Sequence, residues 1–186
     1  MFYGKVFRDL ADSDRFRSGD FERCTFRGCD LTQADFTDAE LADCRFEECR
    51  WSGPNFGGAG LRNAVFERCE LRGVDFGRCR RLGFDVAFRE CHLSFCSFRE
   101  LKMERTRFTG SVLRECFFSE CDLAETDFSE CDLERTLFEH CRLEGADFRA
   151  AFAFTIDPAA NRMRGARFSR GGLEGLLAQF GLRIEE

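Results

Sequence analysis

Proline is nearly absent from the 186-residue sequence: Pro54 and Pro158 are the only two. A Pro-rich linker between domains is thereby excluded, and the length fits one domain or one continuous stack. No run of about 18 uncharged apolar residues occurs, so no membrane-spanning helix is expected. The opening Met-Phe-Tyr-Gly-Lys-Val-Phe-Arg-Asp-Leu lacks the apolar run of a secretory signal, and a cytoplasmic location is expected. Basic residues are in deficit, with 28 Lys and Arg against 34 Asp and Glu and a net charge of −6. Neutralising phosphates needs a basic surface, so nucleic acid is not expected as a direct ligand. Histidine is also scarce. His92 and His140 are accompanied by no Gly-rich phosphate loop, nucleophile elbow or convergent carboxylate pair. Neither enzymatic activity nor a metal or other cofactor is expected.

Two residue types are abundant instead, 24 Phe against one Tyr and one Trp, and 12 Cys. Their spacing explains both. From Phe16 an apolar residue returns at every fifth position through Phe21, Phe26, Leu31, Phe36, Leu41, Phe46, Trp51, Phe56, Leu61, Phe66 and Leu71 to Phe76. After a two-residue slip the series resumes at Phe88 and runs by fives to Phe148. A step of five rotates a helical residue by about 140°, which would smear these centres around a cylinder, and in a plain strand odd steps alternate faces. The chain must therefore turn once per five residues. Two positions before each centre stands a small residue such as Cys24, Cys29, Ala34, Ala39 or Cys44, and all twelve cysteines fall in this phase. The other three positions are mostly charged or small and polar. Two residues of every five point in and three point out, so the cysteines read as small apolar packing units, not metal or redox ligands.

This pattern resembles the pentapeptide-repeat proteins over residues 14–150. The resemblance implies an all-β fold, a right-handed quadrilateral parallel β-helix in which four pentapeptides make one square coil of 20 residues. Coils stacked at about 4.8 Å would satisfy their backbone groups on the coils above and below. Twenty residues apart, Phe36, Phe56 and Phe76 would stack on one face and Phe26, Phe46 and Phe66 on the opposite one. Residues 1–13 are expected to cap one end, and 151–186 to form a C-terminal cap with a dimerisation helix. The break near 81–85 is expected to place Leu82 at the missing centre, with Gly83 easing a bulge. The stretch Ser52–Gly60 reads as a soft face or a bend, and Leu101 beside Met103 as a local distortion. His92 and His140 read as ordinary surface residues. At the C-terminus Leu173, Leu176, Leu177 and Phe180 follow helical spacing, with Gly181 as a stop and Leu182–Ile184 as a further strand. They are the expected dimer interface.

Charge is patchy on the repeat. Residues 115–134 hold Glu115, Glu120, Asp122, Glu125, Asp127, Glu130, Asp132 and Glu134 without Lys or Arg, and near the N-terminal end Asp35, Asp38, Glu40, Asp43, Glu47 and Glu48 oppose only Arg45. These carboxylates could solubilise the surface or meet a basic partner. Within the family the chain looks most like the quinolone-resistance, Qnr-like branch and its loop-less relatives, through its nearly uninterrupted coils, the Arg81-Leu82-Gly83-Phe84-Asp85 break and the terminal Leu-Leu-Ala-Gln-Phe-Gly-Leu segment. That branch implies a cytoplasmic homodimer shaped like a DNA segment, which binds DNA gyrase or topoisomerase IV and can relieve fluoroquinolone poisoning. The lattice runs unbroken through 41–61 and 93–113, leaving no room for the loops that strongly protective members project. The alternative is a non-catalytic scaffold or toxin-immunity interaction protein with no topoisomerase target.

Overall fold

The computed structural model describes residues 1–10 and 16–183. Residues 11–13 of the expected N-terminal cap, 14–15 of the expected repeat and Ile184 of the expected tail strand lie outside the described residues. The chain winds into a right-handed quadrilateral parallel β-solenoid of about seven turns, with one short helix at its C-terminal end. At about 4.8 Å per coil the stack is roughly 34 Å long.

Each side of the square carries its own parallel sheet. One consists of Phe2–Tyr3, Asp20–Glu22, Glu40–Ala42 and Gly60–Arg62, and a second of Val6–Arg8, Thr25–Arg27, Arg45–Glu47, Ala64–Glu67 and Val86–Arg89. The third contains Arg50–Ser52, Glu70–Arg72, His92–Ser94 and Val112–Arg114, and the fourth Ser97–Arg99, Phe117–Ser119 and Leu137–Glu139. The register is 19 residues for the first two strands, as in Phe7↔Phe26, 20 elsewhere within each half, as in Phe26↔Phe46 and Phe118↔Phe138, and 22 across the break, as in Phe66↔Phe88. Residues 2–8 end the stack as a further half-coil: Phe2 stacks on Phe21 at 5.0 Å and Phe7 on Phe26 at 4.7 Å.

The centres fill the interior. One ladder of rings runs Phe16, Phe36, Phe56, Phe76, Phe98, Phe118, Phe138 at 4.6–5.8 Å between centroids. The opposing ladder runs from Phe26 through Phe66 and Phe88 to Phe148 and on to Phe168. The ladders meet edge to face, as at Phe108 and Phe118 with planes at 90°, the arrangement that ring quadrupoles favour. Leu41, Leu61, Leu71, Leu93 and Trp51 occupy the remaining two sides, and a single core crosses the break.

All twelve cysteines are buried and unbridged in this core. Their thiols have a polar task as well. Cys44 Sγ donates to the carbonyls of Ala42 and of Phe21 one coil earlier, both at 3.5 Å, and Cys141 does the same toward Glu139 at 3.5 Å and Phe118 at 3.4 Å. Burial pushes the Cys44 and Cys131 thiols up to about 12.

Three local expectations are corrected. Leu82 does not take the missing centre: it is 97% exposed, whereas Phe84 is 6% exposed and meets Phe76 edge-on at 6.4 Å. The corner Arg81-Leu82-Gly83 bulges outward with Gly83 in the left-handed region at φ 76°, and the larger ring drops into the vacancy. The coil through Ser52–Gly60 does not bend, since Asn55 and Gly60 keep their hydrogen bonds to Ala34 and Ala39 of the preceding coil at 2.9 and 2.8 Å. Leu101 and Met103 distort nothing: both are buried, and Asp122 exchanges backbone hydrogen bonds with them at 2.9 and 2.7 Å.

At the C-terminal end the helical segment is shorter than its spacing suggests. Only Glu174–Leu177 is α-helical, between 3-10 turns at Arg170–Gly172 and Ala178–Phe180, and Gly181 stops it at φ 60°. Gly175 lets the helix sit directly on the stack, because a Cβ there would lie 2.2 Å from the Phe154 carbonyl oxygen. Leu182 and Arg183 form no strand.

Candidate functional site

Stacking changes the meaning of the acidic coil. A residue 20 positions away in sequence lies one coil away in space, so arginines absent from residues 115–134 reach it from the coils on either side. Arg114 reaches Asp132 at 2.6 Å and Glu134 at 3.3 Å; Arg142 reaches Asp122 at 2.7 Å and also pairs with Glu104; Arg105 reaches Glu125 at 2.9 Å. Arg135 lies 3.9 Å from Glu115. The N-terminal carboxylates are met in the same way: Asp35 by Arg17, Glu40 by Arg80, Glu47 by Arg27 and Glu48 by Arg68. Pairs at the surface add little stability, but they remove the continuous negative surface that the linear sequence suggests.

The three aspartates of the coil serve the backbone. Asp122, Asp127 and Asp132 each accept the N–H two residues ahead, from Ala124 at 3.2 Å, Ser129 at 2.9 Å and Glu134 at 3.1 Å. These are Asx turns, which a short carboxylate closes at a corner. Burial opposes ionisation of Asp122, yet the Arg142 guanidinium and the Ala124 N–H outweigh it and hold the carboxyl below its usual range. Asp132 is almost enclosed, with a side chain 7% exposed beneath Arg114. For Glu125 the Arg105 guanidinium gives a downward shift.

Of the ten expected acidic residues, Asp38, Glu120, Asp127 and Glu130 have no ion-pair partner among the described residues. Glu130 stands on one edge of the square, at the left-handed corner that follows Asp127 in the same repeat. Glu90 stands two coils above Glu130 on that edge, with Gly110 between them. Runs of carboxylates along the chain do not reveal it; the 20-residue step from 90 to 110 to 130 is the signal that finds it. His92 and His140 are exposed on different faces.

The expected interface residues divide. Leu176 is half-buried against the last coil, while Leu173, Leu177 and Phe180 are exposed, Phe180 by 63%. Phe152 and Leu182 add to this apolar end.

Comparison with known proteins agrees with the geometry. The family profile described as pentapeptide repeat region matches residues 9–80 and 84–175, and its gap falls on the bulge. Among solved structures, full-length QnrB1, a plasmid-mediated fluoroquinolone resistance protein, superposes with a TM-score of 0.52 at 18% identity, over 97% of this chain and 99% of that chain. A trypsin-treated variant of QnrB1 gives a TM-score of 0.51 at 20% identity, over 99% and 97%. No protein of curated function matches the sequence significantly. With a five-residue lattice, four-sided coils and a family match spanning both halves, the chain belongs to the pentapeptide-repeat family.

Proposed function

We propose that this protein is a non-catalytic binding protein that occupies the DNA-binding surface of DNA gyrase or topoisomerase IV as a stand-in for duplex DNA, and so modulates the enzyme and its response to fluoroquinolones. The observation that carries the reading is a continuous rod bearing outward carboxylates that have no ion-pair partner among the described residues, Glu90 and Glu130 on one edge, Asp127 on the face leading to it and Glu120 on another edge. Such groups offer a basic DNA-binding saddle separated negative charges on a rigid support. The fold shared with QnrB1 supports the same reading. Because Asp122 and Asp132 are paired with Arg142 and Arg114 while Asp127, which also closes a turn, has no ion-pair partner among the described residues, the contacts fall to Glu120, Asp127 and Glu130.

The test is DNA supercoiling by gyrase with purified protein titrated in, with and without a fluoroquinolone. Inhibition, or rescue under drug, is expected at micromolar protein, and Glu120→Lys with Glu130→Lys should weaken either effect about tenfold or more with the fold unchanged. No effect of the unaltered protein on gyrase or topoisomerase IV would refute the reading and leave the scaffold role.

A further inference from the structure

The side wall of the rod carries a second surface, opposite in character to the carboxylate edge. Outward positions on the coils are otherwise mostly charged or small, yet Phe95 and Leu137 are 51% and 52% exposed and Phe117 is half-buried. These three form one diagonal stripe: Phe117 lies in register between Ser97 and Leu137, and Phe95 precedes Ser97 by two residues at the adjoining corner. Above the stripe lies a shallow hollow of about 280 Å³ lined by Asp75, Gly77, Arg78, Ser97, Arg99 and Phe117.

The hollow exists because its floor lacks side chains. A Cβ on Gly77 would lie 3.1 Å from Cβ of Arg99, and one on Gly57 would lie 3.6 Å from a guanidinium nitrogen of Arg78. Neither glycine has left-handed φ, so the backbone does not demand glycine at either place. Arginine supplies the rim. Arg72, Arg78 and Arg99 have no carboxylate partner among the described residues, although arginines elsewhere on the rod reach across coils to pair. Arg72 lies over the Phe95 ring at 5.7 Å, which presents the ring and the charge together. The one acid in the hollow, Asp75, is engaged: it accepts the Gly77 N–H at 3.1 Å and the Ser97 hydroxyl at 2.8 Å.

We propose that this basic and aromatic hollow is a docking surface for an acidic segment of a protein partner, its carboxylates received by Arg72, Arg78 and Arg99 and an apolar side chain by Phe95 and Phe117. Unpaired guanidiniums favour carboxylates, bidentately where the geometry allows. A nucleic acid strand fits less well, because three unpaired guanidiniums on a chain of net charge −6 are too few to hold a run of phosphates. The surface is independent of the carboxylate edge, so the rod can hold two partners of opposite charge.

Fluorescence polarisation with a fluorescein-labelled Asp-Glu-Phe-Asp-Glu-Phe peptide tests the proposal. Saturable binding that falls with salt is expected, weakened about tenfold or more by Arg78→Glu with Arg99→Glu and reduced also by Phe117→Ser, which leaves the charge alone. Glu130→Lys, on the carboxylate edge, should leave it unchanged. The fluorescence of Trp51, the single tryptophan and 1% exposed, reports that each variant is folded. No saturable binding, equal binding by the folded arginine variant, or preference for the same peptide with Lys at each acidic position or for a labelled oligothymidylate would overturn the proposal. None of these outcomes bears on the gyrase assay.

Discussion

At the break in the lattice two apolar side chains compete for one vacancy, and size decides between them. Phe84 fills the space beside Phe76, whereas Leu82 stands in solvent on the bulge. Periodicity cannot make this choice, since a slip erases the register that names the centre, and Leu82 lies closer to the interrupted count. The corner does leave a trace in the sequence, because Gly83 adopts a left-handed φ. Elsewhere the same left-handed corner is occupied by Glu48, Arg68, Glu90 or Arg105, so glycine is not a reliable marker of it. Phe84→Ala should cost about 3–5 kcal/mol, as removal of a buried ring does. Leu82→Ala should stay within about 0.5 kcal/mol. Urea unfolding followed by Trp51 fluorescence separates the two, and equal effects would refute the assignment.

Among the coils, the small inward position distinguishes two kinds of turn. In one, the inward residue's backbone N–H donates to the carbonyl three residues back, as at Ala34, Ala39 and Ala59, at 3.2, 3.0 and 3.0 Å, and at Cys79 and Cys131, at 3.0 and 3.1 Å. At wider corners a thiol supplies the donor, as at Cys44, Cys49 and Cys69. The five-residue period and the burial of both inward positions are legible in the amino-acid sequence because each repeat meets the same environment. The partners of the acidic coil are not, because every arginine that reaches it is about 20 residues away. The thiols also fix a pH response. In the unfolded chain they ionise near 9, while Cys44 and Cys131 reach about 12 in the folded state because burial disfavours the thiolate. Between these values the unfolded state binds fewer protons than the folded one, so stability falls as pH rises, by up to about 1.4 kcal/mol per unit for each such thiol. Thermal unfolding should therefore shift sharply downward above pH 9, and Cys44→Ala with Cys131→Ala should make the slope shallower. An unchanged slope would mean that the thiols reach water.

For the whole rod, both ends leave apolar side chains uncovered, Met1, Phe2, Tyr3 and Val6 at one and a larger set at the other. The C-terminal end exposes Phe152, Leu173, Leu177, Phe180 and Leu182 together, a concentration of apolar surface that a soluble monomer seldom keeps open. A second copy meeting it about a two-fold axis would bury that surface in a self-complementary contact and would double the length of the rod. Arg162, Arg164 and Arg170 lie close to the same end without an ion-pair partner among the described residues, while Arg167 pairs with Asp147 at 3.3 Å. Across residues 151–186 five arginines stand against four carboxylates, Asp157, Glu174, Glu185 and Glu186, so the association rests on the apolar face and should persist as salt rises. Sedimentation equilibrium should therefore show a dimer that persists or strengthens at high ionic strength, and Leu177→Asp with Phe180→Asp should sediment as a folded monomer. A dimer that salt dissociates, or one that survives both substitutions, would place the contact elsewhere on the rod.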